Sequence, residues 1–219
     1  MNQRHLNKGF TLAEVLITLL IIGVIASIVI PGLIADSQQA EQKAAFKKTC
    51  STLNSAAKRV ASDNGGSLAG LFTTSDTMRN AFLPFLSCIK TCNLGSGNGI
   101  CHPLETSYKT YYGTPFPIVS TWDAFKGRSV AVLNDGTILG FLIVDGNCTS
   151  SRLADNNECG HIQVDINGFK GPNVAGKDFF EFHLARQGYV VPLGSSKDLY
   201  KDSYSKAYGF DKALDYLSN

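Results

Sequence analysis

The hydrophobic and polar positions of this chain follow two different patterns. Between Val15 and Ala35 there are 21 consecutive residues without a charge, most of them Leu, Ile and Val. At about 1.5 Å of rise per residue, a helix of this length is roughly 31 Å long, which is close to the thickness of a bilayer's hydrocarbon core. The pattern therefore predicts a membrane-spanning helix near the N-terminus.

Beyond this run, apolar residues recur at spacings of three and four, which is the period of a helix with one buried face. They are Phe46, Cys50, Leu53, Ala57 and Val60. The helix is thus predicted to continue as an amphipathic segment to about Ser62 and to end at Asn64-Gly65-Gly66. Residues 67–92 are predicted to be a short helical region that Pro84 interrupts. Residues 93–122 are predicted to be an irregular loop.

Alternating or short apolar runs predict strands in the second half of the chain. They lie at residues 130–133, 137–144, 161–166 and 179–184, with 189–191 after them, and the tail from Ser195 is polar. Asp135-Gly136 predicts a tight hairpin turn because these residues accept the positive φ of such turns. The predicted fold class is α+β, with a long N-terminal helix packed on an antiparallel sheet of about four strands.

The charges that flank the apolar run predict its orientation. Arg4 and Lys8 precede the run, and Asp36 follows it. Because basic flanks tend to stay in the cytoplasm, we expect the N-terminus inside and the residues beyond 35 outside. A removable signal peptide is disfavoured, since the run is long and no A-x-A site closes it.

Glu14 places one carboxylate at the head of the apolar run. Such a charge costs about 2.5–3.5 kcal/mol near the centre of a membrane helix and less near its end. One interpretation is that Glu14 lies close enough to the interface to be hydrated. The other is that it finds a cationic partner, and cleavage between Gly9 and Phe10 would create one, the amine of Phe10.

The first 60 residues resemble the prepilin signature of type IV pilins and type II secretion pseudopilins. The resemblance rests on the stretch Gly9-Phe10-Thr11-Leu12-Ala13-Glu14, the short basic leader, the apolar run, Gly23 and Pro31. In that family a membrane peptidase cuts after the glycine and methylates the new N-terminus. The resemblance implies that Gly9 and Phe10 form the processing and N-methylation site. It implies that Glu14 pairs with a neighbouring subunit's N-terminal amine during filament assembly.

The resemblance also implies a pilin-like division of the chain. Residues 1–9 are the leader peptide, 10–35 the transmembrane and filament-core helix, 36–66 its amphipathic continuation, and 67–219 an extracytoplasmic globular head with a C-terminal tail. The implied partners are a prepilin peptidase/methyltransferase, other pilin subunits in a homo- or hetero-filament, a pilus or secretion assembly platform, and the membrane. The implied location is the inner membrane, crossed once, and later an extracytoplasmic filament.

Composition and motifs give no support to an enzyme or a nucleic-acid-binding protein. The formal charge is +2, and without Arg4 and Lys8 the basic and acidic residues balance. The chain has no G-x-S-x-G elbow and no phosphate-binding glycine loop. His102, His161 and His183 are isolated in the sequence, without paired ligand spacing, and His183 is expected to be a packed or surface residue.

All six cysteines follow residue 35, on the predicted outer side, where an oxidising compartment would pair them. Cys148 and Cys159 bracket one loop and Cys92 and Cys101 bracket another, so we pair these first. Cys50 then remains to pair with Cys88. Six cysteines allow 15 connectivities, so this assignment is one hypothesis among several. A zinc site fits the cysteine spacings poorly.

The stretch from Asp165 to Asn173, with Asp178, resembles a segment near the C-terminus of many pilin-like proteins. Turn chemistry favours a tight turn and a loop stabilised by Asx hydrogen bonds. The alternative is calcium, since some related pseudopilins bind it in a loop between late strands, and Asp165, Asn167 and Asp178 offer oxygen ligands. The spacing is not that of an EF-hand, so no cofactor is predicted beyond this calcium alternative.

The predicted function is that of a structural subunit of a type IV pilus or a type II secretion pseudopilus. Two alternatives remain. The first is a minor pilin whose head binds a surface, DNA or a secreted substrate, which a large exposed aromatic patch in residues 103–122 or among the tyrosines of the tail would favour. The second is a membrane-anchored head that never polymerises.

Overall fold

A computed structural model describes residues 9–116, 124–155, 157–199 and 204–216 of the chain. The chain forms two compact units, Met1–Glu41 and Gln42–Asn219. Helix α1, Leu12–Asp63, begins in the first unit and ends in the second. Its first part carries the apolar run, and its last part carries the amphipathic stripe.

In the first unit, the apolar residues of α1 are exposed. The helix is long enough and apolar enough to cross a membrane, and none of its most apolar stretch is buried. Leu and Ile side chains are exposed on successive turns, from Leu12 to Ile34. Pro31 lies within the helix and does not end it. The predicted membrane-spanning segment is therefore a helix that the described residues do not bury.

The second unit contains an antiparallel sheet in which each strand pairs with the next one along the chain. In the described residues its strands are β1 (Cys88–Cys92), β2 (Ser129–Leu133), β3 (Ile138–Ile143), β4 (Glu158–Asp165), β5 (Phe179–Ala185) and β6 (Tyr189–Pro192). Helix α2 spans Ser75–Phe82, and α3 is a short turn at Lys206–Tyr208. Short 3₁₀ segments lie at Leu83–Phe85, Glu105–Ser107 and Phe210–Tyr216.

In the described residues the sheet has six strands rather than the four or so that the sequence predicts. Strand β6 matches the additional short run at 189–191. Strand β1 matches no predicted run, because it falls in the region 67–92 that was expected to be helical. Helix α2 ends at Phe82, and the chain then pairs with β2 from Cys88 onwards. Ile89, an apolar residue of this region, is 69% exposed. Strand pairing, a tertiary interaction, thus overrides the local helical period.

The stripe of α1 packs on the first face of the sheet, as predicted. The ring of Phe46 lies 4.5 Å from that of Phe180 and 5.7 Å from that of Phe182. Leu53 and Ala57 belong to the same core, which includes Ile162 and Val164 of β4 and the facing residues of β5. Alternation along the strands places these apolar side chains towards the helix.

The second face of the sheet is buried as well. All eight residues of β4 are buried, so its polar alternates do not face solvent. Tyr108 and Phe125 from the segment between β1 and β2 pack on Phe179, and Phe210 from the C-terminal segment joins them. The predicted irregular loop and polar tail therefore contribute a second layer of the head.

Two glycines occupy turns that require them. Gly136 has φ +88° in the β2–β3 hairpin, where the amide of Leu133 donates to the carbonyl of Thr137, which confirms the predicted turn. Gly188 joins β5 to β6 with φ +73°, and a Cβ there would lie 2.6 Å from the carbonyl oxygen of Ala57. The second turn can therefore lie against α1 only if it has no side chain.

We expect Phe46→Ala to lower the free energy of unfolding of the head by about 3–5 kcal/mol, because it leaves a cavity among three aromatic rings. Thermal unfolding of the full chain in detergent, followed by circular dichroism of the sheet, measures this. Ser55→Ala, on the exposed side of the same helix, is the control and should leave Tm unchanged. Equal Tm values for the two variants would show that α1 does not support the sheet.

Candidate functional site

The predicted cleavage point lies immediately before helix α1. Gly9 and Phe10 have no regular secondary structure, and Phe10 is 89% exposed. A Cβ added at Gly9 would meet no atom within 4 Å. The Gly9–Phe10 bond is therefore open to a peptidase in the described structure.

Glu14 makes reciprocal hydrogen bonds with Thr11 at the start of α1. The amide and the hydroxyl of Thr11 both donate to Oε2 of Glu14 at 2.9 Å, and the amide of Glu14 donates to Oγ1 of Thr11 at 3.3 Å. This is a capping box, in which Thr and a Glu three residues later satisfy amides that the helix leaves free. The T-x-x-E spacing of Thr11 and Glu14 is the signal in the sequence for this cap.

Residues 4–30 match the family model of the prokaryotic N-terminal methylation motif. The chain carries the hallmark of type IV pilin-like prepilins. The cleavage point and Glu14 both lie inside the matched residues. This motif belongs to a family of structural proteins. Comparisons with curated proteins and with solved structures found no match to this chain.

The structure contains two of the three disulfides that the sequence predicts. Cys92 is bonded to Cys101, and Cys148 is bonded to Cys159. The first closes the segment that follows β1, and the second closes the loop that precedes β4. Each disulfide in a small head is worth about 2–4 kcal/mol, mainly because it restricts the unfolded chain.

The third predicted disulfide, between Cys50 and Cys88, does not form. Both residues are half-buried free thiols. Sγ of Cys50 contacts the side-chain amide of Asn54 one turn along α1, at 3.6 Å, and the thiol of Cys88 donates to the carbonyl of Lys90 at 3.2 Å. Each thiol thus bonds within its own element, and pairing by elimination was wrong here.

At the end of β4, the structure brings together the side chains of Asp165, Asn167 and Asp178, as both the turn and the calcium alternative require. The amides of Asn167 and Gly168 donate to Oδ1 of Asp165, which forms the predicted Asx turn. The side-chain amide of Asn167 donates to Oδ2 of Asp178 at 3.1 Å. The hydroxyl of Tyr108 donates to the other oxygen of Asp165 at 2.8 Å.

This arrangement explains the turn without an ion. Asp178 also accepts from the backbone amides of Asn173 and Val174, so hydrogen-bond donors surround both carboxylates. The side-chain oxygens of Asn167 and Asn173 are buried and lack a hydrogen-bond partner among the described residues. These oxygens are ligands of the kind that calcium accepts. Calcium at this loop stays a prediction.

Burial dominates the protonation of these two carboxyl groups. Burial and the nearby charge of Asp178 together raise the pKa of Asp165 to about 7, against the lowering effect of the Tyr108 hydrogen bond. Burial also raises the pKa of Asp178. Asp165 therefore keeps its proton in the folded chain at pH values where an unfolded aspartate is ionised.

A second group of polar side chains lies on the same face of β4 and β5, and we call it the polar cluster. It consists of Arg128, Arg152, Glu158, His161, Gln163, Glu181, His183 and Asp198. Apart from Arg152, all of these residues are buried. His161 and His183 are direct cross-strand partners, and Gln163 and Glu181 are the next such pair on this face.

The contacts within the polar cluster are short. Oε1 of Glu158 lies 3.0 Å from Nε2 of His161 and 2.6 Å from Nδ1 of His183. Each histidine has a further carboxylate at its other nitrogen. Nδ1 of His161 lies 2.9 Å from Oε1 of Glu181, and Nε2 of His183 lies 3.3 Å from Oδ1 of Asp198.

These contacts set the charges of the cluster. Burial opposes a charge on His183, but its bonds to Asp198 and Glu158 outweigh burial and raise its pKa to about 9. Burial likewise opposes a charge on Glu181, yet its partners His161 and Arg128 lower its pKa to about 2. The two histidines also hold the pKa of Glu158 below its usual value in spite of burial.

The polar cluster corrects the expectation that His161 and His183 are isolated. His183 is packed, as one of the expected alternatives had it, but its neighbours are charged groups rather than apolar ones. A signal was present, because His161 and Gln163 alternate with Ile162 and Val164, and Glu181 and His183 alternate on the next strand. What the sequence did not reveal is the strand register that opposes them.

We expect the head to lose stability between about pH 4 and pH 7 through Asp165. In this window the unfolded aspartate has released its proton while the folded one retains it, so the unfolded state is favoured as pH rises. Asp165→Asn cannot ionise and keeps the acceptor for the turn. The Tm of the wild type, measured without calcium, should therefore fall from pH 5 to pH 8 by several degrees more than that of the variant.

Equal pH dependence in the two proteins would contradict the raised pKa of Asp165. The same experiment tests the calcium prediction. Added calcium should raise the wild-type Tm at pH 8 and leave that of Asp165→Asn unchanged, whereas no rise in the wild type would exclude calcium from this loop.

Proposed function

We propose that this chain is a filament subunit of a type IV pilus or of a type II secretion pseudopilus. The observation that carries the proposal is an apolar helix of membrane length, exposed on all sides, that begins two residues after the Gly9–Phe10 bond of the methylation motif. Such a surface is stable only in lipid or against other apolar helices. A filament of stacked helices supplies the second environment.

In this proposal a prepilin peptidase cuts between Gly9 and Phe10 and methylates the new amine of Phe10. The exposure of both residues supports access to the bond. Cleavage removes Arg4 and Lys8 with the leader and leaves one new cationic group four residues before Glu14. The mature chain then begins with the apolar helix itself.

Glu14 would then guide assembly through its charge. In the described structure both bonds from Thr11 reach Oε2, so Oε1 remains to accept the amine of a neighbouring subunit. A carboxylate in an apolar filament core is costly unless it is paired, so subunits in the wrong register are disfavoured. The capping box pre-orients the carboxylate for this partner.

The orientation in the membrane follows from both ends of the helix. We place the N-terminus in the cytoplasm because its flank is basic, and the head outside. The disulfides Cys92–Cys101 and Cys148–Cys159 support this placement, since such bonds persist in oxidising compartments. Before assembly the subunit would wait in the inner membrane, where the assembly platform takes it up.

The alternative of a binding module has limited support from the described residues. Tyr111 and Tyr112 are exposed at 36% and 62%, whereas Tyr108 and Phe116 of the same segment lie in the core. Tyr204 and Tyr208 pack against each other and onto that core. Trp122 and Tyr200, which the alternative also invoked, lie outside the described residues. We therefore favour a structural role over a binding head or a non-polymerising anchor.

We expect Glu14→Ala to be cleaved normally and to yield at least ten times fewer filaments. The measurement compares sheared filaments with membrane-bound mature protein in cells that carry the peptidase and the assembly machinery. Ser27→Ala, in the same helix and with only a local hydroxyl bond, is the control and should assemble normally.

Glu14→Gln separates the charge from the helix cap. Its amide oxygen can still accept from Thr11, so the capping box survives while the charge is lost. If the charge guides assembly, this variant also fails to form filaments. Normal filaments from Glu14→Gln would refute that role and leave Glu14 as a cap alone.

A further inference from the structure

We propose that Glu158, His161 and His183 bind a divalent transition metal, zinc by the chemistry of the donors, between strands β4 and β5 of the head. Each of the three residues offers one ligand atom, and these atoms all lie within 4.8 Å of one another. The side chains are fixed by neighbouring strands, and they are at most 1% exposed.

The three side chains must shift to admit a metal. Zinc binds imidazole nitrogen at about 2.0–2.1 Å, which puts two ligand atoms of a tetrahedral site roughly 3.3 Å apart. Oε1 of Glu158 now lies 3.0 Å from Nε2 of His161 and 2.6 Å from Nδ1 of His183, and the three ligand atoms lie within 4.8 Å of one another. The carboxylate must therefore draw back by about half an ångström, and both imidazole nitrogens must come within about 2 Å of one ion.

The outer nitrogen of each histidine has the partner that metal-binding histidines usually have. Nδ1 of His161 faces Glu181 at 2.9 Å, and Nε2 of His183 faces Asp198 at 3.3 Å. A hydrogen bond to that carboxylate would hold the N–H on the outer nitrogen and turn the lone pair of the inner nitrogen towards the metal. Neither contact has the angle of a hydrogen bond in this structure, so metal binding includes a small turn of both rings.

The contact with Arg152 shows that Nε2 of His161 already presents its lone pair. Its guanidinium lies 2.7 Å from Nε2 of His161, and a guanidinium can only donate, so the imidazole nitrogen accepts there. Arg152 is the one partly exposed member of the cluster, with 23% of its side chain accessible. It turns towards solvent when the metal takes its place.

The donor set selects the metal. Two imidazoles and one carboxylate suit zinc and its neighbours in the first transition row, whereas calcium and magnesium prefer oxygen ligands alone. The oxygen-rich loop at Asp165 is chemically different from this site. Three protein ligands leave a fourth tetrahedral position for a solvent molecule. The ion would fasten β4 to β5 and to the loop that Ser150 and Glu158 close.

The test uses the full-length protein purified in detergent, stripped of metal with a chelator and then dialysed against zinc. We expect about one equivalent of zinc per chain by elemental analysis, and a Tm that falls on removal of the metal. Cobalt in place of zinc should give the visible absorption of a four-coordinate ion. These measurements on the wild type do not depend on the folding of any variant.

Variants locate the ion. His161→Gln and His183→Gln should each retain less than a tenth of an equivalent and lose the Tm response to the chelator. His102→Gln is the matched control, because His102 is also buried but stacks on Phe125 outside the cluster, and it should bind like the wild type. Less than a tenth of an equivalent in the wild type, or full binding in His183→Gln, would overturn the proposal.

Discussion

An apolar helical surface that the described residues leave uncovered is the constraint on which the rest of this molecule depends. From Leu12 to Ile34 the Leu, Ile and Val side chains of α1 are exposed, although nothing in their chemistry favours contact with water. In the proposed function, lipid covers this surface before assembly and neighbouring helices cover it afterwards. The methylation motif spans residues 4–30, and the cleavage that we propose between Gly9 and Phe10 lies directly before this surface.

In the head, the second half of the same helix is buried rather than exposed. There the stripe of α1 is covered by one face of the sheet, and irregular segments cover the other face. Because both faces of the sheet are buried, the polar side chains on the second face contact one another instead of water. Glu158, His161 and His183 are the result, and their mutual geometry is what makes a metal ion a natural occupant.

The sequence predicted what depends on local periodicity. The apolar run and the stripe after it correctly predicted helix α1, and Asp135-Gly136 correctly predicted the hairpin between β2 and β3. The processing motif was equally clear, since it lies within a few adjacent residues. Two disulfides were also predicted, because each closes a single loop.

The sequence did not predict what depends on contacts between distant segments. Strand β1 was missed because its formation depends on pairing with β2. The disulfide of Cys50 was predicted wrongly because Cys50 and Cys88 were only the two cysteines left over, with no knowledge of their distance. The polar cluster was missed because His161 meets His183 only through the register of β4 and β5. These are tertiary facts, and no spacing along the chain encodes them directly.

The measurement that tests the account most directly is the mass of the N-terminal peptide of the protein isolated from its own membrane. The account predicts a peptide that begins at Phe10 and carries one methyl group on its amine, with residues 1–9 absent. A peptide that retains Met1 and the whole leader would contradict it.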